Sequence, residues 1–414
     1  KSVDEVADDF HDHFAANAGG YVDPSFLREM ALDYANWSPL ARAQSMADPE
    51  LIAGFADAAG PTLRWLESSG VRFDFLPTAF LTTTTTRLLP VGGGLAIIDT
   101  LTDRCRAAGV DFLFETTAHS LLRAPDGAIA GVVARDRRGR EARHAGRAVV
   151  LASGGFEGNP EMLARYLGPR AINLRPVARG GHYNKGEGIR MGLEAGAAPN
   201  GDFGSYHAEP VDPRSGVAEP AIFAFPYGIL VNKDGCRFTD EAPGTVDAHY
   251  ENVTRRIYEQ RDGIAWLILD AGIEQVPNWR KAIRTDQPPV TGGSLAELAL
   301  AIGLEPAALE TTVAGYNAAC RPGTFRPLEL DGLGTQGLSP PKSNWARPLE
   351  SGPFLAYPVI SANVFTFGGL KVDTNARVLD QDGAPIQGLY AAGETMGIYY
   401  RVYTGSTSVL RGAV

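Results

Sequence analysis

Cysteine is scarce in this chain of 414 residues, which has only Cys105, Cys236 and Cys320 and no CxxC pair. The scarcity excludes a disulfide framework and argues against a structural zinc site, so we expect no metal and a reducing, cytoplasmic location. No run of about 18 apolar residues is present, so the sequence predicts no membrane span. The polar and acidic opening KSVDEVADDFHDHF does not resemble a signal peptide.

Positive charge is also in short supply. The 38 Lys and Arg residues face 48 Asp and Glu residues, which gives a formal net charge of −10. Nucleic-acid binding depends on neutralising phosphates with Lys and Arg, so this balance argues against a nucleic-acid partner. An anionic small molecule stays compatible, because a few local arginines are enough to hold one. The 44% apolar and 21% charged residues are typical of a globular protein and exclude a disordered or coiled-coil chain.

The 48 glycines fall in short clusters between apolar runs, as expected for tight turns, and the length predicts two or three domains. Asp48-Pro49-Glu50, followed by apolar residues at helical spacing, predicts the start of a helix. Another helix should follow Gly92–Gly94 and end near Gly109, with a strand over 110–114. Alternating segments with Asp-Gly and Arg-Gly turn signals predict a small antiparallel meander over 121–147.

Two later strands carry glycine turns at their carboxyl ends. Residues 149–152 form a continuous apolar run, typical of a buried parallel strand, and Asn159-Pro160 predicts a helix start. A similar strand lies in GLYAAGE at 388–394. The region between them is rich in proline and loops, which favours an inserted domain in an α/β fold. We expect its helices near 247–260, 294–302 and 305–319, and we place the three segments at 1–199, 200–350 and 351–414.

The turns ASGG and AAGE predict a dinucleotide-type site. In open α/β sheets ligands lie off the carboxyl ends of the strands, and glycine lets the backbone approach a dinucleotide closely. No GxGxxG motif opening a βαβ unit occurs in the 414 residues. Composition and spacing alone lead no further than this.

The order of the motifs resembles that of the flavoprotein dehydrogenases related to fumarate reductase, and most closely their tricarballylate dehydrogenase branch. The resemblance covers almost the whole chain. It rests on GVRFDF at 70–75, VGGG at 91–94, VVLASGGFEGN at 149–159, NKGEGIRMGLEAGA at 184–197, GILVNKDGCRFTDE at 228–241, PKSNWARPL at 341–349, FTFGGLKVDTNARVLD at 365–380, GLYAAGETMG at 388–397 and YTGSTSVLRGAV at 403–414.

This resemblance implies an enzyme with a Rossmann-like FAD-binding domain in two halves and an inserted α+β capping domain, with the active site at their junction. The expected cofactor is FAD, the reaction involves a CH–CH bond next to a carbonyl or carboxylate, and the partners are a small-molecule substrate and a separate electron acceptor. The family's first βαβ unit would lie upstream of Lys1, and its last helix would continue past Val414. The alternative is a non-catalytic protein that has lost FAD binding.

The resemblance also assigns the cofactor contacts. The ASGG turn would approach the cofactor through its backbone, and the AAGE carboxylate would hold a ribose. Glu187 stands where the family usually has Asp, with a solvated helix-start acid as its alternative. The start of the closing helix would stabilise the negative charge of reduced flavin. The predicted contacts are Gly154, Gly155, Glu187, Gly393, Glu394, Thr407, Ser408 and Val409.

The substrate side departs from the fumarate reductases. No arginine follows Glu241 within 242–247, and Val364-Phe365 replace the histidine that precedes the family's GGL motif. Tyr403 stands where those enzymes have an arginine before the closing glycines. Only His207, in GSYHAEP, matches a substrate histidine of the family. We therefore expect fumarate to be a poor substrate.

Tyr403 is shared with the tricarballylate-type enzymes and resembles a tyrosine of the 3-ketosteroid 1-dehydrogenases that polarises a ketone oxygen. The second catalytic tyrosine of the steroid enzymes is Thr245 here, a poor base, so His249 or Tyr250 must be considered. His249 has the more suitable unperturbed pKa for proton abstraction near neutral pH. We predict Tyr403, His207 and His249 as catalytic residues, with a 3-ketosteroid-type desaturase as the alternative activity.

Five further residues are expected to bind the substrate. Arg87 and Arg401 are candidates for bidentate pairing with a carboxylate, and surface charge is the alternative for both. The others would line the site or serve only in packing, namely Thr245, Phe365 and Tyr400.

Overall fold

The computed structural model describes residues 48–77, 86–397 and 413–414. Asp48 caps the first helix, α1 (Pro49–Ser68), because its side chain accepts a hydrogen bond from the Leu51 backbone N–H at 3.1 Å. This confirms the predicted helix start, and the three helices expected between 247 and 319 are also present. The other helices are α2 (Gly93–Ala107), α3 (Pro160–Leu167), α4 (Glu187–Glu194), α5 (Val246–Tyr258), α6 (Leu295–Ala301) and α7 (Pro306–Ala319).

The predicted meander is confirmed as three antiparallel strands, with the middle strand paired on both edges. Two short antiparallel ribbons accompany it in the described residues. The meander consists of β3 (Thr116–Arg123), β4 (Ile129–Asp136) and β5 (Glu141–Ala145), and the ribbons pair β1 (Phe73–Pro77) with β2 (Thr86–Pro90), and β8 (Pro199–Asn200) with β14 (Gly369–Leu370).

The strands that carry the two glycine turns lie side by side. β6 (Val149–Leu151) runs parallel to β16 (Pro385–Ala391), and β15 (Arg377–Leu379) pairs with the other edge of β16. The carboxyl ends of β6 and β16 therefore meet, as the sequence predicts. The expectation of a fully buried strand is wrong at Val150, which is 62% exposed, because β6 is the last strand of this sheet within the described residues.

The strand predicted over 110–114 is also wrong. These residues form an irregular stretch ending in a turn, and no strand in the part of the chain that the structure describes pairs with them. Phe114 is 73% exposed. The apolar composition indicated a strand, but strands are stabilised by cross-strand neighbours, which this segment does not have there.

The largest sheet is organised around one long strand, β13 (Phe354–Thr366). Both edges of β13 are paired over much of its length, and helix α5 packs against it. Most of its side chains are buried as a result. The other strands of this sheet are β7 (Arg175–Pro176), β9 (Tyr206–Val211), β10 (Ile229–Val231), β11 (Ile264–Leu269) and β12 (Val290–Gly292).

The cores follow this division of the sheets. One cluster of buried apolar residues surrounds the middle of the large sheet, and a separate one packs around β6, β16, α3 and α4. β13 pairs with strands from the middle segment although it lies beyond residue 350. The boundaries at 199/200 and 350/351 remain predictions.

Candidate functional site

The two glycine turns are hydrogen-bonded to each other. The Ala392 backbone N–H donates to the Leu151 carbonyl at 3.0 Å, and the Thr395 hydroxyl donates to the Gly154 carbonyl at 3.0 Å. Gly154 and Gly393 have φ values of 75° and 68°, which favour glycine over residues with a Cβ atom. The turns thus form one glycine-rich edge at the carboxyl ends of two parallel strands, where dinucleotides bind in open α/β sheets.

Glu394, in the second of these turns, is held by hydrogen bonds from Thr366 at the end of β13. Its Oε1 accepts hydrogen bonds from the Thr366 backbone N–H at 2.6 Å and from the Thr366 hydroxyl at 3.0 Å. A Cβ atom at Gly155 would overlap both Glu394 Oε1 and Thr366 Oγ1. Gly155 therefore allows the close approach of these two side chains to the turn, and a larger residue there would displace them.

Glu157, which is buried, forms a carboxyl pair with the half-buried Glu394 that the sequence did not reveal. It is 3% exposed, its Oε1 accepts from the Asn184 amide, and its Oε2 is buried without a donor among the described residues. Burial, and then the nearby Glu394 carboxylate, raise the pKa of Glu157 to about 9. Burial also raises the pKa of Glu394, although hydrogen bonds from Thr366 oppose this. Glu157 therefore holds a proton at neutral pH.

This pair predicts that stability falls as the pH rises. The pKa of Glu157 is about 9 in the folded chain against 4.5 for a solvated glutamate, so folding favours its protonated form. The stability that protonated Glu157 contributes to the folded state is complete below pH 4.5 and is lost as the pH rises towards 9. At pH 7 the loss in the free energy of unfolding is up to about 3 kcal/mol. Glu157→Gln keeps the shape without the charge and should flatten the decline in melting temperature between pH 5 and 9.

The exposed Glu161, at the start of α3, provides the control. Glu161→Gln should retain the pH dependence of the wild type in the same series of thermal melts. Parallel melting curves for Glu157→Gln and the wild type over this pH range would contradict the buried, protonated state of Glu157.

A second polar cluster surrounds His207, on β9. Its Nδ1 is 3.3 Å from Glu251 Oε2, and its Nε2 is 3.0 Å from the Tyr250 hydroxyl. Both partners lie on α5, and Arg255, one turn further, donates to Glu251 Oε1 at 2.9 Å. Burial lowers the pKa of His207, and the hydrogen bond and charge of Glu251 oppose the shift.

The last residues of β13 join the two clusters. Phe365 pairs with His207 across the sheet, with ring centroids 5.3 Å apart, and the next residue, Thr366, binds Glu394. Neighbouring Cα atoms in a chain are 3.80 Å apart, and directly opposed residues of antiparallel strands lie about 5 Å apart. Because successive side chains of a strand point to opposite faces, the histidine cluster and Glu394 contact β13 at consecutive residues but from opposite faces of the strand.

A charged group that the sequence analysis missed, Arg284, is linked to Tyr250 through the ring of Phe223. The Arg284 guanidinium lies over the Phe223 ring, 5.6 Å from its centroid, and this ring makes an edge contact with Tyr250 at 5.5 Å. Arg284 also pairs with Glu219. Arg284 sits between a short 3-10 turn and β12, far along the chain from α5, so only the folded chain brings it to this position.

Three further predicted residues lie at the starts of helices α4 and α5. Glu187 starts α4 and its carboxylate accepts from the Lys185 backbone N–H at 3.3 Å, which matches its alternative as a helix-start acid. Thr245 precedes α5 without capping it through its side chain. His249 is half-buried against the Gly244 turn, and burial lowers its pKa while Asp240 and Asp247 oppose the shift.

Several predicted residues cannot be placed in this way. Arg87 is described only through its backbone, in β2 opposite Leu76. The other predicted residues lie outside the described residues, and their roles stay predictions. They are Tyr400, Arg401, Tyr403, Thr407, Ser408 and Val409.

The polar groups at the glycine-rich edge fit FAD. The buried Glu157 Oε2 has no hydrogen-bond partner among the described residues, and the half-buried carboxyl group of Glu394 lies beside it. Ribose and ribityl hydroxyl groups are donors that such carboxyl groups can bind. A family model described as "FAD binding domain" matches residues 15–410. The chain belongs to this family of FAD-binding domains.

Known relatives agree with this membership. The chain is 30% identical to an NADH:acrylate oxidoreductase of Vibrio harveyi, covering 84% of this chain and 34% of that protein. It is 28% identical to a vinyl phenol reductase of Lactiplantibacillus plantarum, covering 84% of this chain and 74% of the reductase. The chain thus spans about a third of one relative's length and about three quarters of the other's.

Solved structures confirm the fold of this FAD-binding family member. The chain superposes on the open conformation of a flavocytochrome c3 fumarate reductase with a TM-score of 0.71 at 24% identity, covering 94% of this chain and 64% of the other. The predicted fold class and the FAD cofactor are confirmed. No helix among the described residues is long and apolar enough to cross a membrane.

Proposed function

We propose that this protein is an FAD-dependent oxidoreductase that reduces or forms a carbon–carbon double bond next to a carbonyl or carboxylate group. One observation carries the proposal. Strand β13 ends with Phe365 in contact with the His207 ring and Thr366 hydrogen-bonded to Glu394, so consecutive residues of one strand contact a proton-transferring group and the expected cofactor edge. The relatives named for acrylate and vinyl phenol chemistry support the same bond type.

The reaction needs two transfers to neighbouring carbons. Bound FAD supplies the hydride chemistry. The chain must then provide or remove a proton at the carbon next to the carbonyl or carboxylate, and it must stabilise negative charge on the substrate oxygen. The 3.0 Å contact between the Tyr250 hydroxyl and His207 Nε2 supports a role of these two residues in the proton transfer, and the Arg284 guanidinium is a candidate for binding the oxygen.

The residues of the glycine-rich edge would each contribute differently to FAD binding. Gly154 and Gly393 let the backbone approach the cofactor closely, because neither turn carries a Cβ atom on these residues. Glu394 would accept hydrogen bonds from cofactor hydroxyl groups, and the protonated Glu157 would donate to one of them. Thr366 orients Glu394 through two hydrogen bonds, which restricts the position of the carboxylate.

Within this chemistry we favour a substrate of the tricarballylate type over fumarate. The resemblance to the tricarballylate dehydrogenase branch and the altered fumarate positions, including Phe365 beside His207, support this choice. A separate electron donor or acceptor would complete the catalytic cycle. A 3-ketosteroid is the alternative substrate that the sequence suggests.

The purified protein should show the absorbance of oxidised flavin, and one unsaturated carbonyl or carboxylate compound should be turned over. We would test tricarboxylates, acrylates, cyclic enones, 3-ketosteroids and fumarate in anaerobic mixing experiments, following the flavin absorbance. Fumarate should react far more slowly than the best compound. Rapid fumarate turnover would contradict the substrate assignment, and a protein that binds no FAD would overturn the proposed function.

A further inference from the structure

His207 bridges two side chains of one helix. Tyr250 and Glu251 follow each other on α5, and they contact opposite nitrogens of the imidazole, at 3.0 Å and 3.3 Å. His207 is 4%, Tyr250 7% and Glu251 5% exposed. The hydrogen bonds from Tyr250 through His207 to Glu251, which we call the relay, are therefore largely shielded from water. The Phe365 ring packs 5.3 Å from the imidazole centroid and Phe223 makes an edge contact with Tyr250, which limits the movement of both rings.

The charged residues around Tyr250, His207 and Glu251 fix the direction of the hydrogen bonds between them. Arg255 donates to Glu251 Oε1 from both Nε and Nη2, at 3.1 and 2.9 Å, and forms an ion pair with it. A carboxylate only accepts hydrogen bonds, so His207 carries its hydrogen on Nδ1 and donates it to Glu251. The other ring nitrogen, Nε2, then offers a lone pair and accepts from the Tyr250 hydroxyl.

We propose that Tyr250 is a catalytic acid–base residue and exchanges its proton through His207, with Glu251 and Arg255 as positioning residues. The proposal rests on the function proposed above and names the group that handles the substrate proton. The sequence favoured His249 over Tyr250 for this task. Neighbouring residues on a helix point about 100° apart, and it is Tyr250 whose hydroxyl contacts His207.

The proton balance closes in both directions. During desaturation the α C–H bond breaks, its electron pair stays on the substrate, and its proton forms a new O–H bond on Tyr250. The original hydroxyl proton of Tyr250 passes to His207 Nε2, and Glu251 stabilises the imidazolium that results. During reduction the imidazolium returns this proton to Tyr250 as the phenol protonates the α-carbon. His207 thereby avoids the need for a free phenolate, which is costly near neutral pH.

Tyr250→Phe removes the hydroxyl group that contacts His207 and little else. With the best compound of the substrate panel, substrate-dependent flavin turnover should fall by about 10² or more, the usual contribution of a positioned acid or base. Reduction of the bound FAD by dithionite involves no proton transfer to carbon and should keep the wild-type rate. A Tyr250→Phe rate above about a third of the wild-type rate would overturn the role of Tyr250.

Tyr258 provides the matched control on the same helix. Its hydroxyl is buried without a hydrogen-bond partner among the described residues, so Tyr258→Phe removes a phenol of the same type outside the relay. The control variant should retain substrate turnover, flavin content and melting temperature. A loss in Tyr258→Phe equal to that in Tyr250→Phe would indicate a packing effect and contradict the proposal.

Glu251→Gln tests the relay through the pH profile. Within the described part of the chain, the groups facing His207 are Tyr250, Glu251 and Arg255 from α5 and Phe365 from β13, and Glu251 raises the His207 pKa. Desaturation requires neutral His207, so the rate falls on the acid side of this pKa. Removing the Glu251 charge lowers the pKa and should move the acid limb to lower pH. An unmoved acid limb would contradict the relay.

A measurement on the protein alone separates this inference from the function. Nitrogen NMR of His207 should show the Nδ1–H tautomer, and Tyr250→Phe should change the Nε2 signal while the tautomer persists. Wild-type protein that turns over none of the panel compounds would argue against the proposed function, with the NMR result still deciding the hydrogen-bond chain. An Nε2–H tautomer in the wild type would overturn the inference even if turnover is observed.

Discussion

Replacing Glu241 by Gln should destabilise the protein by about 3–5 kcal/mol, because it removes the anion from a buried charge network. Glu241 is fully buried, and its two oxygens accept hydrogen bonds from Arg237 at 2.9 Å and 2.6 Å. Oε1 also accepts from the Leu230 backbone N–H at 3.0 Å, and Oε2 is 3.8 Å from the buried Lys342 Nζ. Without the carboxylate, two cations would remain in the interior.

Lys342 makes this loss depend on pH. Burial lowers its pKa to about 8, although the Glu241 carboxylate opposes the shift. Removing the Glu241 carboxylate lowers the Lys342 pKa further, so in Glu241→Gln Lys342 has lost its proton at pH 9 and one of the two unpaired charges has disappeared. The destabilisation should therefore be smaller at pH 9 than at pH 6.5. Urea unfolding of both proteins at pH 6.5 and pH 9 measures the difference directly.

Glu274 is the control for this prediction. It pairs with Arg280 at 2.5 Å on the surface, with both side chains more than half exposed, and exposed pairs contribute little to stability. Glu274→Gln should leave the unfolding midpoint unchanged. Equal effects of the two substitutions would show that the Glu241 network does not stabilise the interior as the structure indicates.

Gly155→Ala should cost most of the bound FAD. The added Cβ atom would overlap Glu394 Oε1 and Thr366 Oγ1, so the carboxylate must leave the position that Thr366 gives it. Overpacking of this kind destabilises a protein by about 1–3 kcal/mol. The flavin content, read as the ratio of visible to ultraviolet absorbance, should fall strongly, since the cofactor edge itself is displaced.

Gly180→Ala is the matched control. A Cβ atom at Gly180 meets nothing within 4 Å, so this substitution introduces a methyl group without a contact. Flavin content and melting temperature should stay close to those of the wild type. A Gly155→Ala protein with full flavin content would contradict the placement of the cofactor beside Glu394 and Thr366.

The sequence predicted the parts of the fold that depend on local signals. Asp48 and Asn159 are side chains that cap helices over neighbouring residues, and turn glycines separate the strands of the meander. The two glycine turns were predicted to meet because parallel strands bring their carboxyl ends to one edge. The isolated apolar run at 110–114 failed as a strand, since pairing depends on distant residues.

The chemistry of the site depends more than these fold elements do on contacts between residues far apart in the sequence. Glu157 is a single letter of the ASGGFEGN motif, and its raised pKa arises only because Glu394, more than two hundred positions later, lies beside it. Tyr250 and His249 are neighbours in sequence, and intrinsic pKa values favoured the histidine. The fold reversed this preference by directing the tyrosine hydroxyl to His207. The motif at 228–241, which ends in RFTDE, contributed to the family resemblance. Only the structure shows that its Arg237 and Glu241 form a buried charge network with Lys342.

The central claim is that this protein transfers a hydride and a proton across one carbon–carbon double bond. The most direct test is an anaerobic titration of the protein after its FAD has been reduced photochemically. One unsaturated carbonyl or carboxylate compound of the panel should restore the oxidised flavin spectrum with one equivalent per flavin, yielding the saturated product. If no compound restores the spectrum while ferricyanide does, the flavin is active and the proposed carbon–carbon chemistry is wrong.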